Sequence, residues 1–476
     1  MFAIYHAAVM TMTADDCQIE FKENKSEILK RYRTGFGKCF EKALAESSDV
    51  TLLQALIIYL SCSGNDDQAP DLKKLIGTAI GIAFKIGLHR DGSDMGLPPF
   101  QIEMRRRLWW QIYILDTSFA EEHGTDPRIL ESWFDTRPSL NVNDASLDPD
   151  MQESPHSTSE KTEMLFVSTK IKASQFARQT IFSDQFCSEN NDPILSPSEK
   201  CTAVDRFRAN IEHELSDCDQ KIALVYFTTS YNCLTLSKLK LNISKPRVRQ
   251  DRAFLMHEDF RKICTEILQQ AGILRRHEKG RQWLWTFQTS LEWEALTYLL
   301  INLSLVPKGE GLGSAWKAVD EIYNCWRADK HFHGHHWDNV EDLRSKALTA
   351  RELIRVNPAQ WTPPDEGRLA DPQPFTQTLA TPKRHGEANQ RSSGDEGRAP
   401  KRRSELPITQ LGYQEQLSRM WTLGNTAVAT PAADWSSHTI VSSETMDTPS
   451  SGTGCQWSAT LFERYFQVLG SEHMSL

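Results

Sequence analysis

Residues 72–87 read LKKLIGTAIGIAFKIG. Leu72, Leu75, Ile76, Ala79, Ile80, Ala83, Phe84 and Gly87 follow one another by alternating steps of three and one. That is one stripe of an α-helix, with no period-2 alternation competing. Just upstream, Leu52, Leu53, Leu56, Ile57 and Leu60 repeat the spacing, and Thr51 with Gln54 fits the S/T-x-x-E/Q box that opens a helix. Downstream, Leu108, Ile112, Leu115 and Phe119 make a third stripe over about 102–119, with Trp109 and Tyr113 alongside. The same reading predicts helices over 18–46, 161–188, 197–242, 257–277, 286–305, 313–327 and 337–356. Hairpin dipeptides bounding Val/Ile/Thr-rich alternation are scarce, so the predicted fold class is all-α, a multi-helix bundle. Residues 88–101 and 136–160, rich in Gly, Pro, Asp and Ser, read as connections within it.

The pattern weakens after residue 357. Residues 358–455 hold ten of the 21 prolines, with many Ser, Thr and Gly. Such a segment cannot bury enough apolar surface to offset chain entropy and is predicted to be disordered. At 456–470, Trp457, Leu461, Tyr465 and Val468 give a short amphipathic helix. The expected organisation is a helical domain over 1–357, a Pro/Ser/Thr-rich tail over 358–455, and a short helix over 456–470.

Lys and Arg number 54 against 63 Asp and Glu, a net charge of −9 in 476 residues. An acidic chain is poorly suited to wrapping nucleic acid with its bulk surface, so DNA contact needs a local basic module. Ten cysteines are scattered without a C-x-x-C pair, which excludes a zinc ribbon and reads as reduced intracellular thiols. The longest apolar stretch, Leu296 to Val306, is too short to cross a bilayer, and Met1 to Thr13 lacks the basic start of a leader. No membrane role is expected.

The candidate chemistry is sparse. His331, His333, His335 and His336 could supply metal ligands, but no Cys, Asp or Glu within the run completes a set, so a solvated loop is the simpler reading. G-x-S-x-G, H-E-x-x-H, P-loop and G-x-G-x-x-G patterns are missing. The pairs Asp15-Asp16 and Asp66-Asp67 lack the third acid of a magnesium-binding patch and suit helix N-termini instead. His89-Arg90-Asp91 follows Gly87 at a helix end, where cations meet the negative end of the dipole. The most distinctive run is Arg105-Arg106-Arg107-Leu108-Trp109-Trp110. Its arginines could hold phosphate and its indoles could stack a ligand. The favoured reading makes the indoles core anchors and pairs the arginines with acids of neighbouring helices. Asp116, on the same helix, requires a cationic partner once buried, an arginine being the natural one. Lys383-Arg384 and Lys401-Arg402-Arg403 read as a candidate nuclear-import address.

These pieces, in this order, resemble a known family. Leu53-Gln54-Ala55-Leu56, then Gly77, Ala79-Ile80, Ala83, Gly87-Leu88-His89-Arg90-Asp91, Arg105 to Trp110 and Ile114-Leu115-Asp116 resemble the fungal-specific transcription factor domain. This is the middle homology region of fungal six-cysteine binuclear zinc cluster regulators. Phe2 to Tyr5, Leu140 to Leu147, Trp285, Trp293 to Leu296 and Trp316 extend the likeness over roughly residues 1–330. Two departures stand out. The family's Gly-Arg-Pro turn is here Gly124-Thr125-Asp126-Pro127, and its C-x2-C-x6-C zinc cluster has no counterpart in this sequence. The family's zinc-ligating and DNA-contacting residues therefore map onto nothing here, and no cofactor is expected in this chain.

The resemblance implies a helical regulatory domain, not an enzyme, acting in the nucleus on genes transcribed by RNA polymerase II, those of a metabolic gene cluster among them. It implies homo- or heterodimerisation with related regulators, coactivator contacts through the C-terminal tail, and promoter DNA reached only through a missing or partner module. In the tail, Asp434-Trp435, Glu444 to Asp447 and Trp457 to Glu463 set acids beside bulky apolar groups, as activating segments do. The alternatives are an interaction-only paralogue without DNA binding, and a helical enzyme with a metal in the histidine loop.

Overall fold

A computed structural model of the chain describes residues 1–356 except 47–48, 64–71, 159–160, 277–282, 284–289 and 329–334. Fourteen α-helices and short 3-10 turns, without a strand, make up the described residues, so the fold is all-α. The helices are α1 (Phe2–Thr11), α2 (Ala14–Phe21), α3 (Lys25–Glu46), α4 (Val50–Ser63), α5 (Leu72–Lys85), α6 (Pro99–His123) and α7 (Leu165–Thr180). They continue as α8 (Asp184–Glu189), α9 (Pro197–Leu215), α10 (Ala223–Gln250), α11 (Glu258–Arg276), α12 (Ser290–Leu305), α13 (Leu312–Ala328) and α14 (His335–Val356).

Three predicted helices are each divided. The run 18–46 breaks where Lys22 turns left-handed at φ 57°. The run 161–188 breaks before Ser183, whose hydroxyl caps α8 by accepting from the Phe186 N–H. The run 197–242 breaks at 216–222, where the Asp219 carboxylate accepts from the Lys221 N–H and competes with helical bonding. The start of α4 also differs from expectation. Asp49, not Thr51, caps it, its carboxylate accepting from the Leu52 N–H at 2.8 Å. Gln54 is buried on the apolar face and cannot serve as the far half of a box. The pair Asp15-Asp16 sits at a helix N-terminus as expected: Asp16 and Thr13 cap α2 reciprocally.

The helices pack through the stripes that the spacing predicts. In the first half, Leu53, Leu56, Ile76, Ile80 and Ala83 of α4 and α5 are buried beside α6. In the second half, Phe260, Cys264, Ile267 and Leu268 of α11 join Leu296, Leu299, Leu300 and Leu303 of α12 in one core, with Trp316 and Trp326 of α13 and Trp337 of α14. α10 runs alongside α7, α9 and α11.

α5 ends as its sequence predicts. Gly87 is left-handed at φ 72°, the Leu88 N–H reaches the Ala83 carbonyl at 2.9 Å, and the Gly87 N–H reaches that of Phe84 at 3.1 Å. A Cβ at Gly87 would meet only ordinary contacts, Met95 at 3.5 Å and Arg105 at 3.7 Å. Gly87→Ala is therefore expected to cost about 1–2 kcal/mol of unfolding free energy from backbone strain alone, measurable by urea denaturation.

Candidate functional site

α6 carries the whole Arg-Trp-Trp run. Proline at its start and left-handed Gly124 at its end (φ 62°) set its limits beyond the predicted 102–119. Its 3.6-residue period turns Arg106, Trp109, Trp110, Tyr113, Asp116 and Thr117 inward. Trp109 is fully buried, its ring 5.2 Å from Phe134 and edge-on to Phe84 at 5.7 Å. Trp110 is buried, and its indole N–H donates to the Arg137 carbonyl at 2.9 Å. Both indoles are packed into the core, with no open face for stacking a ligand.

Each arginine of the run has a defined acceptor. Arg105 donates to the Ile86 carbonyl at 2.9 Å, one of the acceptors left over at the end of α5. Arg106 grips Asp91 with two parallel bonds, Nε to Oδ2 at 2.8 Å and Nη2 to Oδ1 at 2.7 Å. Arg107 donates to Glu103 at 2.9 Å and to Asp144 at 2.6 Å. The acids do not come from neighbouring helices, as the sequence reading expected. Asp91 and Asp144 lie in the loops flanking α6, and Glu103 lies one turn back on α6 itself. A loop backbone can bring a short carboxylate under a helix more closely than a second helix can, because interhelical axes stay 8–10 Å apart.

Asp91 joins α6 to the segments on either side of it. Besides Arg106, its carboxylate accepts from the Arg137 N–H at 2.8 Å and from both the N–H and the hydroxyl of Ser93. Burial alone would raise this carboxyl. The Arg106 guanidinium, the Ser93 hydroxyl and the two backbone N–H groups outweigh it and hold the group well below the usual carboxylate range. Glu103 has the opposite balance: burial outweighs Arg107 and the Leu140 N–H and raises its carboxyl. His89, stacked on Phe84 at 4.6 Å, has its imidazole lowered by burial and by nearby Arg90. It therefore serves as a core ring rather than as the helix-end cation that the sequence suggested.

Asp116 finds its arginine on α7. Its Oδ2 lies 2.7 Å from Nη2 of Arg178, and the carboxylate also accepts from the N–H groups of Arg128 and Ile129. Arg178 is 1% exposed. Its Nε donates to the Thr117 hydroxyl and its Nη1 to the Ile129 carbonyl, and its guanidinium lies 4.0 Å over the Tyr113 ring. The sequence reading required such an arginine but had no means to select Arg178, 62 residues away. The turn Gly124 to Pro127 is fixed from the same region, with Asp126 accepting from the N–H and hydroxyl of Ser183.

Together these groups make a closed frame that ties both flanking loops and α7 to α6. Each of Asp91, Glu103 and Asp116 is bound by an arginine and by backbone N–H groups, so none is positioned to exchange protons with a substrate. Among the described residues, no group of three or more His, Cys, Asp or Glu could hold a metal ion, and no helix is long and apolar enough to cross a membrane. His331 and His333 lie outside the described residues. His335 and His336 open α14 rather than a loop, and their side chains are not described. Asp66-Asp67, Trp285, Lys383, Arg384, Lys401, Arg402, Arg403, the tail over 358–455 and the helix over 456–470 also lie outside.

Residues 10–220 match the fungal specific transcription factor domain. The chain is 29% identical over 334 residues to the aurofusarin cluster transcription factor aurR2 of Gibberella zeae, covering 68% of this chain and 49% of that protein. It is 27% identical over 337 residues to the pyriculol/pyriculariol biosynthesis cluster transcription factor 1 of Pyricularia oryzae, covering 68% and 45%. It is also 27% identical to the transcriptional regulator AacuB of Aspergillus aculeatus, again over 68% and 45%. The chain thus spans about half the length of the curated relatives it matches. No solved structure matches it.

Proposed function

We propose, from the premise that residues 10–220 are a fungal specific transcription factor domain, that the chain regulates transcription of a fungal biosynthetic gene cluster. The observation that carries this reading is the likeness, over 68% of the chain, to regulators named for such clusters. The closed charge frame supports it: buried arginine–carboxylate pairs hold Asp91, Glu103 and Asp116 in one packing of the helices. The relatives' names are those of transcription factors rather than enzymes, and such proteins act in the nucleus. Promoter DNA would be reached through a further module or a partner, and pairing with related regulators would supply one. The histidine-loop enzyme alternative gains nothing from the relatives.

Deletion of the coding sequence, followed by transcript profiling under producing conditions, tests the proposal. A coordinated change across one contiguous set of biosynthetic genes is expected, and unchanged transcripts would overturn it. For entry into the nucleus, replacing Lys401, Arg402 and Arg403 together by Ala is expected to move a fluorescent fusion into the cytoplasm. An unaltered distribution would remove those residues from the import signal.

A further inference from the structure

We propose that Ser93 is a phosphorylation site for an arginine-directed serine kinase, and that the phosphate releases Asp91 from the frame around α6. The inference goes beyond the regulatory reading above and does not depend on it. Ser93 is the only serine in the sequence with an arginine three residues before it, in Arg90-Asp91-Gly92-Ser93. A kinase of this class holds that arginine with acidic groups of its own, so both side chains have to be reachable. Ser93 and Arg90 are both exposed, and Arg90 pairs at 2.7 Å with Asp135, itself exposed, in a contact that a competing carboxylate can exchange. Ser93 lies in the 3-10 turn Gly92–Met95 between α5 and α6. The bonds of this turn are long: Asp94 N–H to the Asp91 carbonyl at 3.2 Å, Leu97 N–H to that of Gly92 at 3.3 Å, and Gly96 N–H to that of Ser93 at 3.4 Å. Residues 93–96 are exposed, so opening them uncovers little apolar surface. Thr34 and Thr422 also follow an arginine at this spacing. Thr34 lies within α3, its hydroxyl donating to the Lys30 carbonyl at 2.8 Å, and would have to unwind that helix to enter a kinase cleft. Thr422 lies outside the described residues.

In the transfer, Ser93 Oγ forms a bond to the γ-phosphorus of ATP while the bond from that phosphorus to its bridging oxygen breaks. ADP leaves, the hydroxyl proton passes to a base of the kinase, and nothing is oxidised or reduced. The physical consequence falls on Asp91. In the closed turn the Ser93 hydroxyl donates to Asp91 Oδ1 at 2.5 Å, and the Ser93 N–H donates to the same oxygen at 3.1 Å. Asp91 is buried, so the kinase acts on the turn while this latch is open. A phosphoserine Oγ has no proton to give, and its phosphate carries a charge of about −1.5 to −2 at pH 7. A donor is thereby replaced with a dianion facing the carboxylate, and Asp94 adds a further negative charge beside it. The arginines around the turn are already engaged. Arg90 pairs with Asp135, Arg137 lies 3.8 Å from Asp94, and Arg106 grips Asp91 through two nitrogens. Arg106 can take the phosphate in the same two-pronged way only by letting go of Asp91. The Arg137 N–H, which donates to Asp91 Oδ2 at 2.8 Å, then loses its acceptor, and the loop after α6 loosens together with the loop before it. One exposed hydroxyl thus controls the contact that ties both loops to α6.

The test uses the full chain, ATP and the catalytic subunit of cyclic-AMP-dependent protein kinase, with phosphate located by mass spectrometry of peptides. Stoichiometric phosphorylation of Ser93 is expected, and Ser93→Ala, treated alike, accounts for phosphate incorporated elsewhere. Arg90→Ala is expected to slow modification of Ser93 by about tenfold or more, the equivalent of one charge-assisted contact. Asp135→Asn breaks the same surface pair yet keeps an acceptor for the Asp91 N–H, and should not slow it. Hydrogen exchange at the Arg137 N–H should run about tenfold faster or more in the phosphorylated chain than in kinase-treated Ser93→Ala, which merely lacks the donor. The phosphorylated chain should also melt several degrees below the unmodified one. No phosphate at Ser93 in the folded chain would overturn the site, as would equal rates for wild type and Arg90→Ala. Phosphate at Ser93 with unaltered exchange at Arg137 would overturn the release of Asp91. Cluster transcription can depend on the chain in each of these cases, so the two proposals fall separately.

Discussion

Arg178→Met is expected to lower the unfolding free energy by about 3–5 kcal/mol, the usual cost of removing one partner from a buried ion pair. The substitution keeps most of the side-chain volume, so the loss is electrostatic rather than a cavity effect. Asp116 would remain buried with its backbone N–H donors and no cation, and Tyr113 would lose the guanidinium over its ring. The Ile129 carbonyl and the Thr117 hydroxyl would lose their donors as well. Asp116→Ala should cost a comparable amount, since it leaves Arg178 buried and two backbone N–H groups without an acceptor. The double variant should cost clearly less than the sum of the two, because both changes break one unit. Guanidinium denaturation of the four proteins measures this cycle. A cost below about 1 kcal/mol for Arg178→Met, typical of an exposed pair, would show that the frame does not hold the bundle together.

A second large effect is expected at Asp91. Asp91→Ala removes the acceptor for Arg106, Ser93 and the Arg137 N–H at once, and should cost about 3–5 kcal/mol near neutral pH. The pH dependence has a definite sign. The folded carboxyl lies below its ordinary value of 3.8, so its contribution is fully present above that value and is lost as pH falls through the folded one. Wild-type stability should therefore decline as pH drops below about 4, and Asp91→Asn should remove this group's share of the slope. Equal acid slopes for wild type and Asp91→Asn, in denaturation curves taken from pH 7 to pH 3, would contradict the assignment.

Helix existence was the part of the fold most legible in the sequence. The stripes at 52–60, 72–84 and 108–119 each recur every three to four residues, and the chain packs along them. Helix boundaries were less legible, because they turn on single side chains that bond to their own backbone, such as Asp49, Ser183 and Asp219. Within the candidate site, the inward indoles followed from periodicity, and the need of Asp116 for a cation followed from the cost of burying a carboxylate. The role of Asp91 did not. Its position after a glycine cap suggested a helix-end charge, and only the folded chain brings Arg106 and Arg137 to it.

The sequence alone therefore determined the fold class, the inward face of α6 and the resemblance to a regulatory domain, since each depends on residue types within one or two helical turns. The tertiary structure decided which charges meet. Arg106 lies 15 residues from Asp91, Arg137 46 from Asp91, and Arg178 62 from Asp116. A buried charge selects its partner by distance in space, within a medium that screens poorly, and separation along the chain carries no trace of that choice.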